Sequence, residues 1–432
     1  MLSVWEEKLK MPSFEALEKD LEVDVLIIGG GICGVLCAYE LEKRGIDYVL
    51  LEDDRICSKT TAFTTAKITS QHGFIYNKIE SKYGVECAKL YYEANENAIL
   101  KYREIAKDID CDFKNEKSYV YTLSDCNLAK KEYETLKKIN FNGSFTKDIS
   151  LPFKTQGAVF FDGQASFNPL KFISHISKNL NIYEHTTVRE LIGTKALCDK
   201  ATVKAKKIIV TTHFPFINKH GSYFLKMYQH RSYVLCLEGA PLYDGMYVDE
   251  NKKGLSFRTY GDYLLIGGGG HRTGSKGGNY TELKDFKERY FPDAKIKYHF
   301  ATQDCITLDG IAYIGNYSVG TPDMYVATGF NKWGMTSSMM AAEILADLVV
   351  GKKNKYAHIY SPSRSIIHAQ LASNAAHAIG GWLTFWEKRC PHLGCALKWN
   401  SAEHTWDCPC HGSRFTKDGE LLDGPATGNL KK

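Results

Sequence analysis

Cysteine and histidine stand in two tight groups near the C-terminus, Cys390-Pro391-His392 and, after 15 intervening residues, Cys408-Pro409-Cys410-His411. Thiolates and imidazoles are transition-metal donors, and two of each can serve one zinc ion or the two irons of an iron–sulfur cluster. Structural zinc motifs usually space their ligands C-x2–4-C and H-x3–5-H. These pairs do not follow that spacing, which favours the cluster and leaves zinc as the alternative. A second signal lies near the other end of the chain, Gly29-x-Gly31-x-x-Gly34. In such a turn the first glycine permits a sharp reversal, the second lets the backbone approach a pyrophosphate, and the third lets helix and strand touch. The helix N-terminus adds free N–H groups and positive dipole. Glu52, 18 residues beyond Gly34, ends the next apolar run, where a carboxylate can accept hydrogen bonds from a ribose. The alternative is a set of glycines that serve packing alone.

The elements that must position these residues follow from the apolar pattern. Residues 24–28 form a β-branched run, 35–44 have helical composition and 48–52 form a second apolar run, which predicts strand, helix, strand. Two more strands are predicted at 206–211 and 324–327, the latter followed by a helix over 336–350, so a doubly wound sheet is assembled from distant pieces. Between them, 81–109 and 129–140 read as helices, while 231–237, 254–258 and 263–266 read as antiparallel strands of an inserted second domain. A connecting helix is expected over 366–379, stopped by Gly380 and Gly381. The boundaries are therefore drawn as 1–363, a linker at 364–381, and a tail domain at 382–432.

Composition narrows the class. A chain of 432 residues suggests two to four domains, and 44% hydrophobic with 24% charged residues is the balance of a folded globular protein. The net charge of +5 is spread without like-charged blocks, which argues against nucleic acid and for small-molecule partners. The longest apolar stretch, 25–39, is cut by glycines and is too short for a bilayer span, so no transmembrane segment is expected. The first 22 residues are acidic, unlike a secretory signal, and the odd total of 13 cysteines suits a reducing compartment; a cytoplasmic location is expected.

Residues 20–352 resemble the FAD-dependent oxidoreductases of the D-amino-acid-oxidase and glycine-oxidase-like family. The resemblance rests on Thr60-Thr61-Ala62-Phe63-Thr64-Thr65-Ala66-Lys67, Asp162-Gly163, Asn168-Pro169-Leu170, Thr307-Leu308-Asp309-Gly310 and Ala327-Thr328-Gly329. Leu308 departs from the proline or small polar residue common there. The resemblance implies FAD as cofactor, with Thr61, Thr64 and Thr65 along the pyrophosphate and flavin side. It also implies that Gly329, Gly334, Met335 and Thr336 aim the last helix at the flavin pyrimidine, with Lys332 and Trp333 over the ring. Simple turn solvation is the plainer role for the threonines, and an ordinary loop aromatic for Trp333.

The tail resembles Rieske [2Fe–2S] domains, in the form with an extra cysteine in each loop. This implies Cys390 and Cys408 on one iron, His392 and His411 on the other, and a disulfide between Cys395 and Cys410. Thiols at the latter two are the alternative in a reducing compartment. Ser413 matches a hydroxyl that donates to a cluster sulfur in high-potential relatives, whereas Phe415 stands where those relatives carry tyrosine, so a lower potential is expected. Rieske domains place several strands before the first ligand loop. Here only one fits between Gly381 and Cys390, so the missing base must come from the flavin domain or another subunit, or the cluster is poorly held.

The expected fold is thus α/β plus β: a Rossmann-like FAD-binding domain with an inserted antiparallel-sheet substrate domain, then a small, shortened all-β Rieske domain. The expected activity is oxidation of an amine or amino-acid-like small molecule by hydride transfer to flavin. Electrons then pass singly to the cluster and on to an acceptor such as a ferredoxin-like protein or a quinone. His271 and Arg272 follow Gly267 to Gly270, and an arginine there can grip a substrate carboxylate; a surface turn is the equal alternative. Arg231 and Tyr233 fit the same cavity or the sheet core. A Rieske oxygenase would need a close histidine pair outside the tail, which the sequence lacks. The competing reading is a flavin and iron–sulfur electron-transfer or redox-sensing module without an organic substrate.

Overall fold

The computed structural model describes residues 3–431 apart from 8, 218–219, 252–253, 276, 278, 366–370, 373 and 375–387. The strand Leu21–Ile28 has nearly continuous apolar composition because both its faces are covered, as parallel strands require. It lies at the centre of an eight-stranded sheet in the order Tyr313–Asn316, Met324–Thr328, Thr202–Val210, Leu21–Ile28, Tyr48–Leu51, Ile182–Tyr183, with a hairpin of Val188–Ile192 and Lys195–Cys198 beside Thr202–Val210. Its neighbours on both sides run parallel, with Leu26 opposite Ile208 and Val49. The doubly wound sheet expected from distant pieces is formed. The helices Ile32–Lys43 and Gly334–Val349 pack on one another, and Ala38, Ala341, Ala342 and Ala346 leave room for close approach.

The helix expected over 81–109 is two helices, Tyr76–Tyr83 and Val85–Ala106. Gly84 separates them with φ of 86°, a left-handed conformation that helix cannot continue through. The second sheet has nine strands, in the order Lys295–Thr307, Met227–Glu238, Tyr263–Arg272, Ser256–Tyr260, Met246–Asp249, Lys114–Thr122, Gly157–Ser166 and Lys67–Ile68, with Gly143–Thr146 also on Gly157–Ser166. All its pairings are antiparallel except Met246–Asp249 with Lys114–Thr122. Along Met227–Glu238 the side chains alternate, so Val234 and Cys236 face the main core while Tyr233, Leu235 and Leu237 face a second one.

The tail forms a four-stranded antiparallel meander, Lys398–Asn400, Thr405–Asp407, Arg414–Phe415 and Leu421–Asp423. Arg389 and Ala396 add one bridge before it. The expected connecting helix and the expected strand before Cys390 fall largely on residues outside those described. Arg364, just before that stretch, is locked to the body. It grips both carboxylate oxygens of Asp309 at 2.7 and 2.8 Å and lies over the Tyr313 ring.

Candidate functional site

The strand Leu21–Ile28 ends in a glycine turn that the sheet closes tightly. Gly29 takes φ of 107°, and a Cβ on Gly34 would stand 1.9 Å from the Gly29 carbonyl oxygen. No side chain caps the helix Ile32–Lys43; the Ile32 N–H instead donates to Thr61 Oγ1 at 3.1 Å. Glu52 Oε2 accepts from the Gly30 N–H at 2.5 Å and Oε1 accepts from Asp54 N–H. Burial, with Asp53 beside it, pushes the Glu52 carboxyl up to about 8. The acid therefore braces the glycine turn as well as facing the space in front of it.

That space is a cavity of about 720 Å³. Gly29, Gly31, Glu52, Thr61, Thr64, Thr65, Gly329, Trp333, Gly334 and Met335 all line it. Gly34 and Thr336 stand one layer behind: Gly34 is the helix–strand contact, and Thr336 Oγ1 donates to the Thr69 carbonyl at 3.1 Å. The helix Gly334–Val349 also begins without a side-chain cap, with its first residues at the cavity wall. A glycine turn without Cβ obstruction, two helix N-termini and a buried acid form a cradle that fits the phosphates and ribose of a dinucleotide.

Sequence reasoning missed two cavity residues. His72 stacks on Trp333 with ring centroids 5.0 Å apart, and its Nδ1 pairs with Tyr91 Oη at 2.6 Å. Burial pulls its imidazole down to about 3, so it is neutral. Lys67 lies at the end of the threonine-rich segment, and its Nζ donates to Thr65 Oγ1 at 3.1 Å. Burial, then the nearby Arg258 charge, draws its ammonium down to about 7. Only its place in that segment could have drawn attention to it.

His271 and Arg272 are not brought to this cavity. His271 Nε2 meets Tyr233 Oη at 3.2 Å, and its Nδ1 is 2.9 Å from the Arg272 carbonyl. Arg272 lies over the Tyr228 ring, and its Nε donates to the Pro409 carbonyl at 3.3 Å. Its guanidinium thus serves the second ligand loop, not a substrate carboxylate in the cavity. Arg231 is buried against Glu403 of the tail, with Nε 3.1 Å from Oε2, and Tyr233 Oη is 3.4 Å from the same oxygen.

The two Cys/His loops meet in one buried core. Cys390, Cys395, Cys408 and Cys410 share one buried core, and the sulfurs of Cys395, Cys408 and Cys410 lie within 4.8 Å of one another. The disulfide implied between Cys395 and Cys410 is not formed in this structure. The His392 and His411 rings are 5.0 Å apart. Burial lowers them to about 4 and about 3, which keeps the imidazoles neutral as metal ligation requires. His411 Nδ1 is buried with no hydrogen-bond partner among the described residues, an orphaned acceptor that a metal ion would satisfy. Sulfur and imidazole donors meeting in a dry pocket fit an iron–sulfur centre.

The larger domain covers part of the second ligand loop. The His411 ring packs against Phe214 and Phe224, and the Gln303 side-chain amide donates to the Gly412 carbonyl at 2.9 Å.

The profile of the FAD dependent oxidoreductase family matches residues 24–348, and that of the Rieske [2Fe-2S] domain matches residues 369–432. The chain belongs to the FAD dependent oxidoreductases. This oxidoreductase is 36% identical over 494 aligned positions to YhfW of Bacillus subtilis, described as a Rieske 2Fe-2S iron-sulfur protein, covering 99% of this chain and 96% of that one. Its tail is 45% identical over 42 residues to the cytochrome b6-f complex iron-sulfur subunit of a Synechococcus strain, 10% of this chain and 24% of that one. The fold is shared with glycine oxidase from Geobacillus kaustophilus, with a TM-score of 0.67 and 17% identity over 80% of this chain and 99% of that one. L-amino acid deaminase from Proteus vulgaris follows at 0.63 and 18%, over 83% and 97%. The oxidoreductase binds FAD and a [2Fe–2S] cluster. Among the described residues no helix is long and apolar enough to cross a membrane.

Proposed function

We propose that this oxidoreductase removes two electrons from an amine or amino-acid-like substrate and delivers them one at a time to a separate acceptor. FAD supplies the two-electron step as hydride acceptor, and the [2Fe–2S] cluster supplies the one-electron relay. The observation that carries this reading is that one wall of the FAD cavity and the seat of the cluster loop are the same stretch of protein. Tyr228 and His230 line the cavity, while Gln229 between them packs under Gly412.

Residues of this chain have definite work in such a reaction. The His72 and Trp333 stack fixes an aromatic wall at the cavity. Lys67 Nζ, held near neutrality, can take the proton that an ammonium substrate must lose before it gives up hydride. The Phe214 and Phe224 rings exclude water from the His411 side of the cluster. The amine class is supported by the fold shared with glycine oxidase and L-amino acid deaminase, which is an analogy of fold. The one-electron acceptor is a ferredoxin-like protein or a quinone, and the cysteine usage supports a cytoplasmic site of action. We place the domain limits at 1–363 and 382–432, joined by a linker.

Anaerobic mixing with a panel of amino acids and secondary amines tests the reading. Bleaching of the flavin absorbance by one of them, followed by a Rieske EPR signal approaching one spin per chain, is the expected outcome. A flavin that no amine bleaches, in protein whose cluster dithionite still reduces, would favour the electron-transfer module instead.

A further inference from the structure

The FAD cavity has an outer wall that comes from the other domain. Residues 421–429 of the Rieske domain line it, together with Glu52, Lys59 and Arg189. The segment is tied on both sides. Toward the flavin domain, Arg189 Nη1 donates to the Thr427 carbonyl at 2.8 Å. Asp423 sits near Lys59, which pairs with Asp53 at 2.9 Å. Toward the cluster, the Ala426 N–H donates to Ser413 Oγ at 3.0 Å, and Arg414 Nη1 is 3.9 Å from Asp423 Oδ2. Ser413 follows the ligand loop directly, and its carbonyl accepts from the Cys408 N–H at 2.8 Å.

We infer that residues 421–429 are part of the FAD-binding site, closing it over the adenosine and ribose half of the cofactor, and that this closure depends on an assembled cluster. The placement follows from the neighbours of the segment. Glu52 and Asp53 follow the strand whose acid meets the ribose in this fold, and Lys59 links Asp53 to the neighbourhood of Asp423, which sets the segment at that half of the dinucleotide. The dependence follows from composition. Among the described residues, four of the seven buried side chains in the core of the cluster domain are cysteines of the ligand loops. Without iron those thiols have no common bond to hold them, and the segment that hangs from Ser413 loses its support. FAD retention and cluster retention are then reciprocally linked, as any two ligands of one coupled structure must be.

The test is the rate at which the full-length protein releases FAD, followed by the recovery of free-flavin fluorescence after dilution, with the flavin-to-protein ratio of each preparation. Arg189→Ala removes the hydrogen bond to Thr427 and should speed release roughly two- to tenfold, the range one such bond spans. Cys408→Ser, which removes a cluster ligand, should speed it further. Asp199→Ala is the control: it removes the partner of Arg189 within its own hairpin, at 2.7 Å, and leaves the Thr427 contact. It should release FAD at the wild-type rate. In the reciprocal experiment, wild-type protein stripped of FAD should lose iron to a chelator faster than the loaded protein. Equal release from wild type, Arg189→Ala and Cys408→Ser would overturn the inference while leaving FAD binding itself intact.

Discussion

Around the glycine turn every covering group comes from the same doubly wound unit: Thr211 behind Gly29, Glu52 and Ile56 beside Gly30, Thr61 in front of Gly31. Around the second ligand loop the covering groups come from elsewhere. Phe214, Phe224, Gln229, Arg272 and Gln303 all belong to the oxidoreductase body, and each touches residues 409–412. The glycine turn is enclosed by its own unit, whereas the second ligand loop leans on its neighbour. The Rieske profile spans only residues 369–432, and domains of that size gain stability from metal ligation and from docking. Docking also sets the second ligand loop against the stretch Tyr228 to His230 that borders the FAD cavity.

That contrast is open to attack at three points. The largest effect is expected at Glu403, whose carboxylate is shared by Arg231 from the body and Arg414 from the tail, all three side chains less than one-tenth exposed. Glu403→Ala leaves two buried guanidiniums facing each other and should cost about 3–5 kcal/mol of docking free energy. Limited proteolysis and calorimetry should show the tail released before the body melts. A single unshifted transition would mean that the tail is self-sufficient. Next comes Gly34→Ala, where the added methyl meets the Gly29 backbone. We expect about 1–3 kcal/mol of destabilisation and loss of FAD from the purified protein, with the Rieske EPR signal lost only as far as FAD is lost. The smallest effect is expected at Phe415, fully buried in the core of the cluster domain. Phe415→Tyr should raise the cluster potential by roughly 20–60 mV, the equivalent of one hydrogen bond of about 0.5–1.5 kcal/mol. A redox titration with no upward shift would show that the hydroxyl does not reach a sulfur.

Acid should probe the body separately. Burial alone would raise the Asp309 carboxyl, but the hydrogen bonds and charge of Arg364 hold it below its ordinary value. A depressed folded pKa contributes stability that is present above the unfolded value near pH 4 and is lost as pH falls through the folded one. The body of Arg364→Ala should therefore be weaker at neutral pH and less sensitive to acid below about pH 4 than the wild type. Thermal scans against pH check this.

How much of this was legible in the chain differs between the two sites. The ligand set proposed for the cluster is local: Cys390 and His392, then Cys408 and His411, each pair in one loop, so residue type and spacing suffice to suggest it. The glycine turn is equally local. The inserted sheet was only half legible. Lys114–Thr122 and Gly157–Ser166 alternate polar and apolar residues less regularly than the strands that were read, and the pairing of Met246–Asp249 with Lys114–Thr122 joins segments far apart in the chain.

The sequence by itself determined which cofactors this protein takes, because a backbone turn needs glycine and an iron–sulfur cluster needs particular donor atoms at short range. Tertiary structure decided where everything else points. His271 and Arg272 follow a glycine run that reads like a substrate loop, yet a bulge between Arg231 and Tyr233 and the alternation along the paired strands direct them away from the FAD cavity. Residues 421–429 carry no pattern of a binding site, yet docking of the tail makes them its wall. Side-chain direction across a sheet, and the choice of which two surfaces meet, depend on long-range packing that no local spacing encodes.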